Sequence, residues 1–331
     1  MKTIGVLTSG GDAPGMNAAI RAVVRTACQS GLNVFGIKRG YDGLINNDMQ
    51  MMDLRSVSDI IDRGGTILFS ARSEEFRTQA GIQKAIDVCR MRGIEGLVVI
   101  GGDGSFRGAK ELSEQAGDIR FIGIPGTIDN DIPCCDYTIG YDTCMNTIME
   151  MVDRIRDTSE SHGRCFVVEA MGRYAGHLAL NAGISVGATC ILVPEVPYDF
   201  EEDVIKRLKR FLATGKQHFI IMVAEGVWHV NGSDPKGSCT QMAKEIERLT
   251  GIESRAVILG HVQRGGSPTV RDRVIASRMG YMAVNLLMQG QGNRIVAMQN
   301  EKLLHFNMHE AAKMTKGLDR ELHDVAHIIS I

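Results

Sequence analysis

Residues 96–131 read GLVVIGGDGSFRGAKELSEQAGDIRFIGIPGTIDND, and this stretch decides the fold. It contains two apolar runs, Leu97 to Ile100 and Phe121 to Ile124, whose β-branched and aromatic residues are typical of buried strands. Each run ends in a glycine-rich turn that carries carboxylates. Because ligands of parallel α/β sheets bind where the strands end, the stretch predicts a ligand site at these two turns.

The first turn has the composition of a phosphate-binding loop. Gly101, Gly102 and Gly104 leave backbone amides uncovered, and the pattern after Ser105 is helical, so we expect phosphate oxygens at this helix N-terminus. A Gly-Gly-Asp-Gly run taken alone is equally typical of a turn with a helix cap. Three aspartates of the two turns are candidates to hold a divalent metal or to accept a proton: Asp103, Asp129 and Asp131.

Composition narrows the class of protein. The chain has 331 residues, which favours two α/β lobes, and a formal charge of −2, which argues against nucleic-acid binding. It has neither an apolar run of about 18 residues nor a signal-peptide pattern, so we expect a cytoplasmic protein without membrane contact. The eight cysteines form no C-x-x-C pair, which predicts reduced structural thiols and disfavours a zinc site.

The N-terminal run from Ile4 to Leu7 is also followed by a glycine loop and a helical pattern. The loop reads Gly-Gly-Asp-Ala-Pro-Gly, unlike the dinucleotide-binding G-x-G-x-x-G, and the next strand leads to Lys38 and Arg39 instead of an acid. A nicotinamide enzyme is therefore disfavoured. Glycine plus a charged residue recurs after most predicted strands, which predicts one shared cleft or two facing ones: Gly11, Asp103, Asp129, Arg173, Glu225, and His261 with Arg264.

Phosphoryl transfer needs donors for phosphate oxygens, a metal and a base, and these residue types supply all three. Amides of Gly11 and of Gly102 to Ser105, with Arg72 and Arg77, are expected to hold a triphosphate. A phosphorylated sugar would use Glu225 for its hydroxyls and the remaining cations for its phosphate: Arg164, Arg173, Arg255, His261 and Arg264.

The carboxylates divide into two expected roles. Asp103 and Asp131 face Mg²⁺, an ion that usually meets few carboxylates and several waters. Asp129, close to Thr127, is the candidate base.

Several motifs occur in a diagnostic order: LTSGGDAPGMNAAIR, SAR with EFR, GGDGS, PGTIDND, MGRYAG and LGHVQRGGSP. In this combination the chain resembles, over nearly its full length, the bacterial ATP-dependent 6-phosphofructokinase (phosphofructokinase type A) family. GGDG alone also occurs in NAD and lipid kinases, whereas PGTIDND followed by GHVQRGG is specific. The resemblance implies a glycolytic kinase that transfers the ATP γ-phosphoryl group to the 1-hydroxyl of fructose 6-phosphate.

The resemblance also implies the fold class, α/β, with two three-layer α/β/α lobes, mainly parallel sheets and an active site in the cleft between them. The ATP-binding lobe is expected to comprise residues 1–140 and 262–313. The fructose-6-phosphate-binding lobe is expected to comprise residues 141–261 and 314–331. A homotetramer follows from the same resemblance, with active and effector sites at subunit interfaces and with Arg164 and Arg255 reaching a neighbouring subunit's pocket.

Residue roles carry over from the family motif by motif. Catalysis is assigned to Asp129, Thr127, Arg173, Gly11 and Arg72. ATP binding is assigned to Gly11, Arg72, Ser73, Arg77, Gly102, Asp103, Gly104 and Ser105, and Mg²⁺ binding to Asp103 and Asp131. Substrate binding is assigned to Thr127, Ile128, Asp129, Arg164, Met171, Gly172, Arg173, Glu225, Arg255, His261 and Arg264.

Two glycines bear on the phosphoryl donor. Pyrophosphate-dependent relatives typically carry an aspartate and a lysine where this chain has Gly104 and Gly126, so the absence of side chains favours ATP. A pyrophosphate-dependent or other sugar-phosphate kinase remains the alternative enzyme. A non-catalytic nucleotide or sugar-phosphate sensor is the alternative outside enzymes.

The regulatory site departs from the family pattern. Matching positions for an effector such as ADP or phosphoenolpyruvate are Arg21, Arg25, Asp59, Arg156, Gly187, Lys216 and His218. At four others the family usually has arginine, glutamate, lysine and lysine, whereas this chain has Leu54, Thr189, Thr214 and Gln217. Weakened or altered effector control is therefore expected.

Two further segments carry local patterns. Ser56 to Asp59 fits the S-x-x-D capping pattern and predicts the start of a short helix. The hydrophilic segment 226–239 is predicted to be a surface loop.

Overall fold

The computed structural model describes residues 1–230 and 237–330 of the chain. The strands, in chain order, are β1 Thr3–Ser9, β2 Asn33–Ile37, β3 Met49–Met52, β4 Gly96–Gly101, β5 Arg120–Pro125, β6 Cys165–Ala170, β7 Cys190–Leu192, β8 Phe219–Ala224, β9 Ser254–Ile258, β10 Arg294–Gln299 and β11 Lys302–Asn307.

Helices connect most of these strands. They are α1 Met16–Gln29, α2 Gly40–Ile45, α3 Gln79–Met91, α4 Asp103–Gln115, α5 Tyr141–His162, α6 His177–Ser185, α7 Arg207–Ala213, α8 Val227–Val230, α9 Cys239–Thr250, α10 Val270–Met288, α11 Met308–Ala311 and α12 Arg320–Ile329. Glu75–Arg77 and Gly260–Arg264 are 3-10 turns, and Phe200–Lys206 is a π-helical stretch that leads into α7.

The chain forms two compact units. The first comprises Met1–Thr143 and Arg264–Lys316, and the second comprises Cys144–Gln263 and Gly317–Ile331. Each boundary between the two units lies two or three residues after the boundary expected from the sequence. The ligand expected for each lobe stays a prediction.

The first unit is built on a sheet with the order β11-β10-β5-β4-β1-β2-β3. Its strands pair in parallel except for β3 and β11, the antiparallel edge strands. Every residue of β1 and of β4 is buried, as expected for strands covered on both faces. Helices α1 and α10 pack together and contact β4, while α4 contacts β4 and β5, and α2 contacts β1 and β2. The expected α/β class with mainly parallel strands is confirmed.

Helix α1 shows why sequence patterns produce this packing. Its buried residues Met16, Ile20, Val23 and Ala27 recur every three or four positions, so one face is apolar along its length. Gly280 on α10 permits the close approach of the two helices, because a Cβ there would lie 2.6 Å from the Cβ of Ala22.

The second unit contains the sheet β7-β8-β6-β9, in which all strands are parallel. All six residues of β8 are buried. Helix α6 contacts β6, β7 and β8, helix α9 contacts β6 and β9, and α12 contacts α6 and β7. The unit is a second α/β layer structure with its own core.

The structure differs from two local predictions. Ser56 to Asp59 is wrong as a helix start, because Asp53 closes a turn there: its Oδ1 accepts bonds from the amides of Arg55 at 2.9 Å and Ser56 at 2.8 Å. In the predicted loop 226–239, Val227–Val230 forms a helical turn and buried Cys239 begins α9. Residues 231–236 of that predicted loop lie outside the described residues.

The cysteines are structural, as predicted. All eight are reduced, and seven of them are buried. Burial raises the pKa of the Cys89 thiol to about 12, which makes it a poor nucleophile at neutral pH. Among the described residues, no helix is long and apolar enough to cross a membrane.

A buried carboxylate fixes the start of α5. Asp272 is fully buried on α10, and its oxygens accept bonds from the amides of Gly140 at 2.8 Å and Thr143 at 2.9 Å and from the Thr143 hydroxyl at 2.5 Å. These bonds satisfy amides at the α5 N-terminus that no helical carbonyl reaches. Burial nevertheless raises the pKa of Asp272 from 3.8 to about 6, because desolvation outweighs the hydrogen bonds.

Asp272 should make stability depend on pH. Between its unfolded pKa of 3.8 and its folded pKa of about 6 the folded state binds more protons, so the stabilisation is present below pH 3.8 and is lost as the pH rises through about 6. The shift corresponds to about 3 kcal/mol in the free energy of unfolding.

Urea unfolding of the wild type and of Asp272→Asn at acidic and neutral pH measures this effect. The variant should be less stable at both values, because an amide cannot accept all three bonds. The wild type's advantage over the variant should shrink toward neutral pH. An advantage independent of pH would contradict the raised pKa.

Candidate active site

The predicted glycine loops of the first unit lie together at the carboxyl ends of its central strands. Ser9 pairs with Gly101, and Gly101 pairs with Pro125, so β1, β4 and β5 end at the same level. The Ser105 hydroxyl donates to the Ser9 carbonyl at 3.0 Å, and the Gly126 amide donates to the Gly101 carbonyl at 2.9 Å. The structure therefore brings together the loops that follow these three strands.

Helix α4 begins directly after β4, between the loops that follow β1 and β5. Asp103 lies in its first turn, is 47% exposed, and pairs with Arg107 one turn later. Gly102 precedes the helix in an extended conformation, and no side chain caps the N-terminus. The amides of Asp103 and Gly104 are thus open to an anion, whereas buried Ser105 donates its amide to the Gly102 carbonyl at 3.0 Å.

The two glycines used to infer the donor have different surroundings. A Cβ on Gly104 would meet nothing within 4 Å, so the space beside it is open. A Cβ on Gly126 would lie 3.1 Å from Ile100 and 3.2 Å from Met16, so its surroundings are filled by the protein's own core. Of the two glycines, Gly104 therefore borders open space, whereas Gly126 borders the core.

The arginine-containing segment 70–77 is attached to the same loops. The Ser70 hydroxyl donates to the Gly10 carbonyl at 2.5 Å. Phe76 stacks on Tyr41 with ring centroids 4.0 Å apart, and the Tyr41 hydroxyl donates to the Ser105 carbonyl at 2.5 Å. Burial raises the pKa of Tyr41 far above its usual value, so this hydroxyl stays a donor.

The predicted ligand residues of this segment are on its surface. Arg72 is exposed, and Arg77 is exposed with its guanidinium 3.1 Å from Glu74. The Ser73 hydroxyl accepts the Phe76 amide at 3.3 Å, which begins the 3-10 turn. Surface pairs of this kind are weak, so a phosphate can replace Glu74 as the partner of Arg77.

The loop after β5 carries buried acceptors. Thr127 is 7% exposed and Asp129 is 9% exposed, and the Asp129 amide donates to the Thr127 hydroxyl at 3.2 Å. The Ile128 side chain is fully buried in the core, so only its backbone is available to a ligand. Asp131 is half-buried.

Arg264 reaches the loop after β1. Its Nη1 donates to the Asp12 carbonyl at 3.0 Å. A Cβ on Gly11 would meet this guanidinium, so a side chain there would displace the arginine from its place against the loop. Gly11 and Arg264, predicted separately, are therefore neighbours.

The second unit repeats the arrangement at the carboxyl ends of its own strands. Ala170 pairs with Ala224 in the register of β6 and β8. Beyond these ends, the Arg173 amide donates to Glu225 Oε1 at 2.6 Å. Gly172 has a φ of 135°, and a side chain there would clash with the Ala175 carbonyl.

Two polar residues in this region were missed by sequence reasoning. Gln263 is fully buried; its Oε1 accepts the Met171 amide at 3.1 Å and its Nε2 donates to the Gly260 carbonyl at 3.0 Å. Its position in GHVQRGG, between exposed His261 and half-buried Arg264, was the available signal.

The other missed residue is Glu169, which accepts the Trp228 indole N–H at 2.7 Å. Burial and, to a lesser extent, the nearby Glu225 raise the pKa of Glu169.

The structure does not place Arg164 and Arg255 at the carboxyl ends of the strands of the second unit. Arg164 precedes β6, and Arg255 pairs with Phe166 near the amino ends of the strands. Both arginines contact Glu253. They lie at the amino ends of these strands, whereas Arg173 follows the carboxyl end of β6.

The predicted effector residues fall into two sets. Arg21 and Arg25 share α1, where burial and the charge of Arg25 lower the pKa of Arg21, and Asp59 is exposed. Arg25 also lines a cavity of about 650 Å³ that contains Leu54 and Tyr281.

The remaining effector positions belong to the second unit. Arg156 bonds to the Val186 carbonyl, next to exposed Gly187, and burial followed by the charge of Arg156 lowers the pKa of Lys216. His218 lies 3.4 Å from Glu160, and Thr189 is buried.

No cluster of three or more histidine, cysteine, aspartate or glutamate side chains suited to a metal occurs in the described part of the chain. Asp103 offers one half-exposed carboxylate instead. Such a site fits an ion that keeps its waters and is held by one or two carboxylates with ligand phosphates.

These features define an α/β protein with glycine-containing loops at the carboxyl ends of the parallel strands of two sheets. Residues 3–287 match the family described as Phosphofructokinase, and the chain belongs to this family.

Curated relatives match over the full length. The chain is 54% identical over 334 residues to the ATP-dependent 6-phosphofructokinase of Halothermothrix orenii, covering 100% of both chains. It is 52% identical over 330 residues to that of Clostridium tetani, again covering 100% of both. The phosphofructokinase structure from Saccharomyces cerevisiae gives a TM-score of 0.87 at 35% identity; the match covers 100% of this chain and 48% of that one, so this chain spans about half its length.

Tyr41 should stabilise the folded protein through its hydrogen bond to Ser105 and its stack on Phe76. Tyr41→Phe removes the bond to Ser105 and should cost about 1 kcal/mol in the free energy of unfolding. Tyr41→Leu also loses the stack on Phe76 and should cost about 1 kcal/mol more. Urea unfolding measures both values, with exposed Tyr281→Phe as the control that should leave stability unchanged. Equal stability of Tyr41→Phe and wild type would show that the bond contributes nothing.

Proposed function

We propose that the protein is an ATP-dependent 6-phosphofructokinase. It transfers the γ-phosphoryl group of ATP to the 1-hydroxyl of fructose 6-phosphate and releases fructose 1,6-bisphosphate, ADP and a proton. The observation that carries the proposal is the 54% identity over the whole chain to a relative of that name. The loops of β1, β4 and β5 on one sheet edge support it, because they combine amides, carboxylates and arginines as phosphoryl transfer requires.

Asp129 is the proposed general base. Its carboxyl group takes the proton of the sugar 1-hydroxyl as that oxygen attacks the γ-phosphorus. Its burial supports the role, since a carboxylate shielded from water interacts more strongly with a bound hydroxyl. Thr127 and Arg173 are proposed to stabilise the charge that develops on the transferred group.

ATP phosphates are proposed to bind at the N-terminus of α4. The amides of Gly102 to Ser105 and of Gly11 donate to phosphate oxygens. Arg72, Ser73 and Arg77 hold the outer side of the triphosphate, supported by the attachment of their segment to Gly10 and Ser105. The open space beside Gly104 supports a nucleotide over pyrophosphate.

Mg²⁺ is the proposed metal. Asp103, with Asp131, would hold it after Asp103 exchanges Arg107 for the ion. When bound, Mg²⁺ neutralises charge on the β- and γ-phosphates.

Fructose 6-phosphate is proposed to bind Met171, Gly172, Glu225, His261 and Arg264. Arg164 and Arg255 would serve the pocket of a neighbouring subunit in a homotetramer, which their location at the amino ends of the strands supports. The proposed location of the enzyme is the cytoplasm, where glycolysis takes place.

Removing the proposed base tests the assignment. In a coupled assay for ADP, Asp129→Asn should lower kcat by about 10³-fold or more while KM for fructose 6-phosphate changes little, since the base acts mainly in the transition state. Asp118→Asn removes an exposed carboxylate bound to Arg90 and should retain wild-type kcat.

Three outcomes separate the alternatives. A wild-type protein that binds both substrates without turnover would be a sensor. Faster turnover with pyrophosphate than with ATP would identify the other donor class. An undiminished rate in Asp129→Asn would reject the base.

Effector control should be weak. At Leu54, Thr214 and Gln217 the arginine and two lysines that the family uses to contact an effector phosphate are replaced, and each lost charged bond costs about 1.5–3 kcal/mol of binding free energy. The saturation curve for fructose 6-phosphate should therefore shift little with micromolar ADP or phosphoenolpyruvate. A large shift would contradict the prediction.

A further inference from the structure

The residue that follows the proposed base has an unusual backbone conformation and a buried side chain that is hydrogen-bonded at both its amide nitrogen and its amide oxygen. Asn130 has a φ of 51° and is 5% exposed. Its Nδ2 donates to the Asp136 carbonyl at 3.0 Å, and its Oδ1 accepts the Thr138 amide at 3.1 Å. Asparagine tolerates the left-handed region better than other residues with a side chain, so both its backbone and its amide suit this position.

Thr138 fixes the loop on the other side of the base. It is fully buried, and its hydroxyl donates to the Thr127 carbonyl at 2.6 Å. The next residue, Ile139, forms a parallel bridge with Gly126 and donates its amide to the Pro125 carbonyl at 3.0 Å. The segment 136–140, here called the brace, therefore runs along the loop that contains Asp129.

The brace is itself anchored to the first unit. The Asp136 amide donates to the Met298 carbonyl of β10 at 2.8 Å, and Asp136 Oδ2 accepts the Asn300 amide at 2.8 Å. At its other end, Gly140 donates to buried Asp272 at 2.8 Å. The loop that contains Asp129 is bonded to the brace, so its position is fixed relative to the sheet and to α10.

We propose that Asn130 and Thr138 are positioning residues for the base, holding the backbone on both sides of Asp129 so that its carboxyl group stays in reach of the reacting hydroxyl. The inference rests on the proposed function. Neither residue needs to touch substrate: their bonds end on the carbonyls of Thr127 and Asp136 and on the amide of Thr138. Catalysis is sensitive to such support, because a misplacement of about 1 Å can cost about 100-fold in rate.

Two variants remove the brace contacts: Asn130→Gly preserves the backbone preference but deletes a buried side chain, and Thr138→Val preserves the side-chain volume. Asn130→Gly keeps a residue suited to positive φ, and Thr138→Val replaces only the hydroxyl. We expect each to lower kcat by about 100-fold, with KM for ATP and for fructose 6-phosphate within about twofold of wild type. Thr138→Ser keeps the hydroxyl and should recover most of the lost kcat.

Asn47→Gly is the matched control. Asn47 also has a positive φ, 56°, and accepts one side-chain bond, from Arg92 Nε at 2.8 Å, outside the proposed site. This control should retain wild-type kcat.

The double variant Asp129→Asn with Asn130→Gly separates positioning from folding. Its residual turnover should equal that of Asp129→Asn within about twofold, since without a base there is nothing to position. A further loss of about 100-fold would show a general structural role and overturn the inference.

The remaining outcomes are also decisive. If Asp129→Asn lowers kcat but Asn130→Gly and Thr138→Val stay within about threefold of wild type, the positioning role is wrong and the proposed function stands. If Asp129→Asn itself retains wild-type kcat, the proposed base is wrong. If Asn130→Gly loses its near-ultraviolet circular dichroism, it is misfolded, and the positioning role is then tested by Thr138→Val and Thr138→Ser. A lower kcat in Thr138→Val that Thr138→Ser recovers supports the role, and equal kcat values for the two variants overturn it.

Discussion

The parallel pairing of β1, β4 and β5 is the constraint on which the rest of the site depends. Parallel strands require crossover helices, and α1 and α10 contact β4 from one side while α4 returns against β4 and β5. The register of Ser9, Gly101 and Pro125 then places three turns at one level. A shift of one residue in the pairing register would turn every side chain of β4 to the opposite face of the sheet. Because both faces of β4 are buried, packing in the core fixes the register and therefore the positions of the loops.

Charged groups of the first unit are held in two different ways. Arg77 and Asp103 pair with Glu74 and Arg107 at the surface, and such pairs contribute at most about 1 kcal/mol. A phosphate or a metal ion can therefore replace these partners at small cost. Asp129, in contrast, is buried in a loop whose neighbours are fixed by backbone bonds. The proposed reaction uses both, with adaptable surface charges for ligands and a fixed carboxylate for the proton.

Much of the fold and the positions of the turns could be predicted from the sequence, because apolar runs and glycine turns act locally. The apolar runs Leu97 to Ile100 and Phe121 to Ile124 both form strands. Ser56 shows the limit of such reasoning: its capping pattern is present, but Asp53 closes a turn first. Gly126 shows another, since only packing reveals that Ile100 and Met16 fill its surroundings.

The sequence by itself determined the α/β class, the glycine and carboxylate turns, and the order of motifs that indicates the phosphofructokinase family. Only the tertiary structure decided which side chains support those turns. Tyr41 bonds to Ser105, and Asp272 bonds to Gly140, across separations of 64 and 132 residues. No local pattern encodes such pairs. They form because burial removes water from a donor and an acceptor, and each must then find its partner in the folded core.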